Sequence, residues 1–324
     1  MRASFMVGNY KFGGKTMQAT YYKPSGKISP LFVLLFIVFM AISIPILSVA
    51  YIYAIFYIPF IYLNIIIAIA CGLGLGFAVL LATQLGKARN RVLVIVLTIL
   101  AVFLLKYTQW CVYIPLVYAE LYMELQADFA ERLLISLELF FDPAYVLIGA
   151  LDINEWGAWG FGESGDAVTG GLLLGVWILE FLVIMISAVA VCWWKTVFPF
   201  SENANAWYTE SKPEINACMS ENFDALRASL ETGNFNELVH LAHLPRVDGS
   251  NYLGITVFEP PASSSMEPYY LSITGITATY DKKGTETLKR NPLITHIAVD
   301  PGTVAALKQP PVQQPLEVAP PAYQ

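Results

Sequence analysis

The stretch LFVLLFIVFMAISIPILSVAYIYAIFYIPFIYLNIIIAIACGLGLGFAVLLATQL, residues 31–85, carries no charged side chain. A helix crosses the roughly 30 Å hydrocarbon core of a bilayer in about 20 residues. This stretch is therefore long enough to cross twice, and it has to turn. The turn is expected near FYIPFIYLN, where Pro59 sits among aromatics. Tyr51, Tyr53, Tyr57 and Tyr62 suit a membrane interface, where ring and hydroxyl face different surroundings.

Two further apolar blocks follow. Val92–Ala119 holds one charge, Lys106, and Gly170–Trp194 holds one, Glu180. Across the chain 56% of residues are hydrophobic and 14% charged, with a mean hydropathy of +0.56. An ordinary soluble domain carries about 25% charged residues. The deficit lies in the three blocks, which is where a bilayer rather than a soluble core would put it. The expected fold is an α-helical multipass membrane protein with four transmembrane helices, at about 31–54, 59–83, 92–116 and 171–194. An acidic extracytoplasmic connection joins helices 3 and 4, and a C-terminal cytoplasmic α+β domain follows.

The first apolar segment begins at residue 31, is too long for a signal-peptide core and runs on into a second span, so no cleaved leader is expected. Met17 opens MQATYYKPSGKISP and offers an alternative start. Cys71, Cys111, Cys192 and Cys218 are scattered without C-x-x-C spacing and read as small apolar fillers.

Charge sets the orientation. Arg2, Lys11, Lys15, Lys23 and Lys27 precede the first span without one acidic residue. GKARNR, with Lys87, Arg89 and Arg91, lies between spans two and three, and Lys195 follows span four. Residues 120–169, on the opposite side, hold ten acidic residues and only Arg132. Basic loops stay cytoplasmic, so both termini are expected in the cytoplasm of a cell whose inner membrane the chain spans. The organisation reads as a basic N-terminal segment at 1–30, helices 1–3 within 31–118, and the acidic connection at 119–169. Helix 4 falls within 170–195, the cytoplasmic domain at 196–308, and a proline-rich disordered tail at 309–324.

In the acidic connection, Leu121, Leu125, Phe129, Leu133 and Leu137 recur every four residues, predicting an amphipathic helix on or beyond the membrane surface. Asp142-Pro143 is a start signal for a second short helix. Trp156 and Trp159 are expected interface anchors. Gly160, Gly162 and Gly165 match the G-x-G-x-x-G spacing of a dinucleotide turn. That motif needs a preceding strand, and Glu163 and Asp166 would repel a pyrophosphate, so these glycines read as loop punctuation. GNYKFGGKT lacks the first glycine of a Walker A loop, because Asn9 stands in its place.

Two ionisable residues lie at depth. Lys106 is about 22 Å beyond Arg91, and Glu180 about 14 Å in from Gly171, at 1.5 Å per residue. Their depths agree to about 5 Å, so the two can pair if spans three and four touch. A lone charge there costs at least ~2.5 kcal/mol. The pair can serve as a structural register, Lys106 can instead snorkel outward while Glu180 is protonated or faces another subunit, or the two can line a proton, ion or substrate path. Gly72 and Gly76, and Gly171 and Gly175, have the small-xxx-small spacing of helix packing, within the chain or between copies.

Residues 196–308 hold eight basic and thirteen acidic side chains and no span-length apolar run. A helix is expected at about 221–232, stopped by Gly233. A second is expected from Asn234, boxed by Glu237 and ended by Pro245. YLGITVF reads as a strand. A hairpin is expected from about 269–280 with 286–299, with a bulge at Gly275 where the alternation shifts phase. GTVAALKQ closes the domain as a short helix.

His240, His243 and Glu237 repeat every three residues and are weak metal candidates, but H-x-x-H alone is not the H-E-x-x-H of a zinc enzyme. G-x-S-x-G is absent, and nothing fixes a Ser, His and Asp near one another. No cofactor, no metal and no catalytic residue is assigned. The acidic domain disfavours nucleic acid, and its basic cluster, Lys282-Lys283 with Lys289-Arg290, suits anionic lipid heads equally well. The tail lacks the basic residue that flanks SH3 ligands. The expected partners are the lipid bilayer, copies of the chain or other membrane subunits, and a cytoplasmic protein. The expected function is a multipass scaffold or accessory subunit of a larger membrane complex. The alternative is a small channel or transporter using Lys106 and Glu180, and a membrane-anchored metal-dependent enzyme is third.

Overall fold

The computed structural model describes residues 10–12, 15–17, 20–58, 60–121, 128–157, 167–195, 198–244, 251–264, 266–280 and 286–309. They form two compact units. One is Ser25–Val197. The other joins Met1–Pro24 to Phe198–Gln324.

The first unit is helical: α1 (Pro30–Tyr57), α2 (Ile61–Leu85), α3 (Arg91–Leu121), α4 (Phe129–Phe140), α5 (Pro143–Trp156) and α6 (Gly170–Lys195). Four of these, α1, α2, α3 and α6, are long and apolar enough to cross a membrane. The chain is thus a multipass membrane protein with a four-helix bundle. Its first turn falls between Tyr57 and Ile61, where expected, although Pro59 itself lies outside the described residues. Ser29 starts α1 by accepting from the Phe32 N–H at 3.1 Å, with Pro30 in the first turn, where its missing N–H costs nothing. The basic ends gather at one end of the bundle. The Arg89 N–H donates to the Lys27 carbonyl at 3.0 Å, and the Arg91 guanidinium lies 3.6 Å over the Trp193 ring.

In the acidic connection the expected run of leucines is helical from Phe129, Leu125 lies outside the described residues, and the second helix starts at Asp142-Pro143 as expected. Asp128 and Glu131 form a reciprocal capping box on α4, and Asp142 caps α5 by accepting from the Tyr145 N–H at 3.2 Å. The two helices meet at a 113° bend. Leu134, Leu137, Phe141, Leu147 and Leu151 are exposed, and they share the surface of the pair with exposed Asp128, Glu131, Glu138 and Glu155.

The second unit opens with a small hairpin, β1 (Tyr10–Phe12) with β2 (Lys15–Met17). A second hairpin pairs β3 (Phe200–Ser201) with β4 (Ala206–Trp207). The main sheet consists of β5 (Thr209–Glu210), β6 (Ile215–Cys218), β7 (Tyr252–Glu259), β8 (Tyr269–Tyr280) and β9 (Glu286–Val299). β5 and β6 share one edge of β7, and the order continues β7–β8–β9, antiparallel throughout. Helices α7 (Phe223–Glu231), α8 (Asn236–His243) and α9 (Pro301–Leu307) cover one face. Leu226, Leu230, Leu238 and Leu307 pack there against Leu253, Ile255, Leu271, Ile273 and Ile297. The unit is a mixed helix and strand domain, as expected.

Two local readings are corrected. Phe235, not Asn234, is the N-cap of α8, and it makes no side-chain cap bond. Asn234 accepts instead from the Asn236 N–H at 3.2 Å, while Glu237 accepts from Ser220 at 3.2 Å. Gly275 stays in register, opposite Asn291. The shifts fall between Leu271 and Thr274, where β9 supplies the extra residues. His296, at the first of these irregularities, has a φ of +52°. The other face of the sheet is closed by aromatics that sequence periodicity could not assign: Phe198 on Phe258, Tyr208 and Tyr22 on Tyr270.

The segment ahead of α1 belongs to this sheet. The Ala298 N–H donates to the Thr20 carbonyl at 3.0 Å, and the Tyr22 N–H to the His296 carbonyl at 2.9 Å. The Tyr21 hydroxyl donates to Glu231 at 2.8 Å. Burial, then Glu231, pushes the Tyr21 hydroxyl up to about 12. That hydroxyl in turn, with Arg227, holds the Glu231 carboxyl below its usual range. The chain therefore leaves this unit to enter α1 and returns to it after α6, which requires an even number of crossings. Four satisfies that parity. A fifth crossing made of α4 and α5 does not, so this bent pair enters and leaves on one side.

His296 supplies a test. It is 7% exposed, its ring 4.7 Å from that of Phe258, and burial pushes its pKa down to about 4 from 6.5. Between those values the unfolded chain binds the extra proton, so stability rises with pH through the window and is complete above about 6.5. Acidification from pH 6.5 to 4 is expected to remove up to about 3 kcal/mol from this source. His296→Asn, which tolerates the left-handed backbone, should flatten that part of a urea-unfolding pH profile of the full chain.

Candidate functional site

The bundle interior is apolar around Leu75, Val79, Val102 and Leu105, so each polar side chain within it stands out. Lys106 on α3 donates to Glu180 Oε1 on α6 at 2.5 Å. The structure thus brings together the two charges whose depths agreed. Aromatic pairs flank them along the same two helices: Phe103 with Phe181, centroids 5.0 Å apart, and Trp110 with Trp177, at 4.7 Å. Phe103, Trp110 and Trp177 lie about one helical turn from the charge on their own helix, and Phe181 directly follows Glu180.

Three more polar groups lie near this pair in the bundle interior. The Tyr51 hydroxyl of α1 is close to the Glu180 carboxylate. Cys71 of α2 feels both charges, and Gln109 Nε2, on α3, donates to its sulfur at 3.7 Å. Gln109 is 1% exposed, and its Oε1 is buried with no hydrogen-bond partner among the described residues. An unmade bond of that kind costs about 1–3 kcal/mol. The result is a polar layer to which all four spans contribute, running inward from the ion pair.

Sequence reading found only its outer half. Tyr51 had been placed at the interface, yet it is 3% exposed and part of the bundle core. Cys71 is buried, but it touches Gln109 rather than merely filling space. The one available signal was Gln109 itself, at i+3 from Lys106 and hence on the same helix face.

The glycines divide. A Cβ on Gly76 would meet the Ala188 carbonyl at 2.6 Å, and one on Gly72 would run into the Ile184 carbonyl and Ser187. Both therefore seat α2 directly on α6. Gly171 and Gly175 have nothing within 4 Å of an added Cβ. Trp156 is 47% exposed, its ring 6.1 Å from that of Tyr118. Trp159, Gly160, Gly162 and Gly165 lie outside the described residues. Among the described residues the element before that stretch is the helix α5, where a dinucleotide turn requires a strand.

In the extramembrane unit, His243 Nε2 is 3.0 Å from the Ala306 carbonyl, tying α8 to α9. Among the described residues no three His, Cys, Asp or Glu side chains gather as metal ligands, His240 and His243 included. No family model matches this chain, and no curated protein or solved structure is significantly similar to it.

Proposed function

We propose that this chain is a scaffold or accessory subunit of a larger membrane complex, its extramembrane unit meeting a protein partner in the cytoplasm. The observation that carries this reading is the distal half of the β8–β9 hairpin. β7 pairs with β8 only as far as Ile276. Beyond it, Thr277–Tyr280 and Glu286–Lys289 pair only with each other among the described residues. Thr287, Leu288 and Lys289 are exposed. Such a ribbon offers open backbone edges to a partner strand.

The cytoplasmic placement is supported by the basic residues gathered at one end of the bundle, following the rule that such ends stay inside. Gly171 and Gly175, uncovered on α6, would admit a second copy or another membrane subunit closely. Extraction from native membranes in a polymer-bounded disc, followed by mass measurement, tests the reading. Particles are expected to exceed multiples of the 35.9 kDa chain by a defined partner. Leu288→Asp should reduce that partner at least tenfold while moving stability by no more than about 0.5 kcal/mol. Particles containing only lipid and copies of this chain would end it.

A second reading, a small channel or transporter, is favoured by the buried Gln109 oxygen, which has no partner among the described residues, three residues along α3 from Lys106 and its ion pair with Glu180. In proteoliposomes, a flux changed by Glu180→Gln with assembly unaltered would promote it, and no flux from the parent would remove it.

A further inference from the structure

A cleft of about 370 Å³ lies between the outer end of α3 and the α4–α5 pair. Its volume falls at the small end of ligand pockets. The wall is apolar, with Ile114 and Pro115 from α3, Ile135 and Leu139 from α4, and Ile148 from α5. Two side chains of opposite charge line the same space, Arg132 and Asp152. Arg132 is the only basic residue in the whole of 120–169. Asp152 is held by the Tyr118 hydroxyl, which donates to its Oδ2 at 3.2 Å.

The surroundings say where an occupant comes from. Tyr145 and Ile148 both line the cleft and are themselves exposed, 65% and 53%. They continue into the apolar outer surface of Leu147 and Leu151. An even number of crossings keeps α4 and α5 to one side, which is compatible with this surface lying against that leaflet at the headgroup level. An apolar slot that opens onto lipid and carries one cation and one anion matches a molecule with a hydrocarbon chain and a zwitterionic head.

We propose that this cleft binds a single phospholipid whose head pairs a phosphate with a primary ammonium, the class of phosphatidylethanolamine. Arg132 supplies the positive charge that attracts the phosphate. Asp152 accepts from the ammonium. A quaternary ammonium has no N–H to donate, and a glycerol head has no positive charge, so the carboxylate selects against both. One acyl chain lies along Ile114, Ile135 and Leu139.

The test uses the full chain in mixed micelles with equal amounts of phosphatidylethanolamine, phosphatidylcholine and phosphatidylglycerol, read by native mass spectrometry. Phosphatidylethanolamine is expected on the parent at least tenfold above either competitor. Arg132→Gln should lower retention of all three about tenfold. Asp152→Asn should erase the preference for the primary amine while leaving phosphatidylglycerol bound. Ile148→Trp, which fills the slot without touching a charge, should exclude lipid with the thermal unfolding midpoint preserved, so loss of binding is separable from loss of fold. Equal retention of the three lipids by the parent, or undiminished retention by Ile148→Trp, overturns the proposal. So does a cleft that takes no lipid in micelles and is instead covered by another subunit in native discs.

Discussion

Lys106→Met alone is expected to destabilise the helical unit by about 3 kcal/mol, and Glu180→Gln alone by a similar amount, whereas the double variant returns to within about 1 kcal/mol of the parent. Each single change leaves one charge in the bundle without its opposite, and the Tyr51 hydroxyl near Glu180 replaces an ammonium only in part. Removing both removes the desolvation cost together with the attraction, and for that reason the pair contributes register more than stability. Unfolding of the full chain in detergent, arranged as a double-mutant cycle, should give a coupling energy of about 5 kcal/mol, the amount by which the two single losses together exceed the loss in the double variant. Additive losses would mean that the two side chains act separately. Tyr51→Phe, placed on the same cycle, reports whether the inner layer shares in that coupling, because its hydroxyl neighbours the Glu180 carboxylate.

Gly76→Val and Gly72→Val are expected to cost about 3 kcal/mol each or to prevent assembly of the bundle. At both positions the added carbon meets backbone of α6, which cannot rotate aside as a side chain end would. α2 would have to move away from α6, uncovering Cys192, whose sulfur lies 3.6 Å from the Gly76 carbonyl. Gly171→Ala and Gly175→Ala provide the contrast. Space is open at each, so the isolated chain should unfold no earlier than the parent, and the better helix propensity of alanine can raise stability slightly. If these two glycines seat a neighbouring subunit, the same substitutions lower the mass of the native particle without touching the fold. Protease resistance and thermal unfolding separate the two classes.

Part of the candidate site was legible beforehand because depth is a linear quantity. A helix advances 1.5 Å per residue, so counting along two apolar runs was enough to bring Lys106 level with Glu180. The groups that face them were not legible. Whether Tyr51 lies at the interface or in the core depends on how α1 is rotated, and nearly uniform apolar composition leaves that rotation unmarked. Cys71 and Gln109 meet only because α2 packs beside α3. The β8–β9 hairpin was readable to its described ends because alternation is a local feature. Its bulges were misplaced because a phase shift along one strand does not reveal which strand of the pair carries the extra residue.

The amino-acid sequence alone determined that the chain crosses a bilayer four times, since the free energy of burying uncharged runs in hydrocarbon depends on composition and length and hardly on neighbours. It also determined the cap of α5 and the strands of the long hairpin, all set within a few residues. Tertiary structure decided what depends on distant segments meeting. Thr20–Tyr22 complete the sheet made after α6, Gly72 and Gly76 rather than Gly171 and Gly175 seat the helices, and five polar groups from four spans converge on one layer. Those contacts join residues as far apart as Tyr21 and Glu231, and no periodicity along the chain records which of many possible faces will come together.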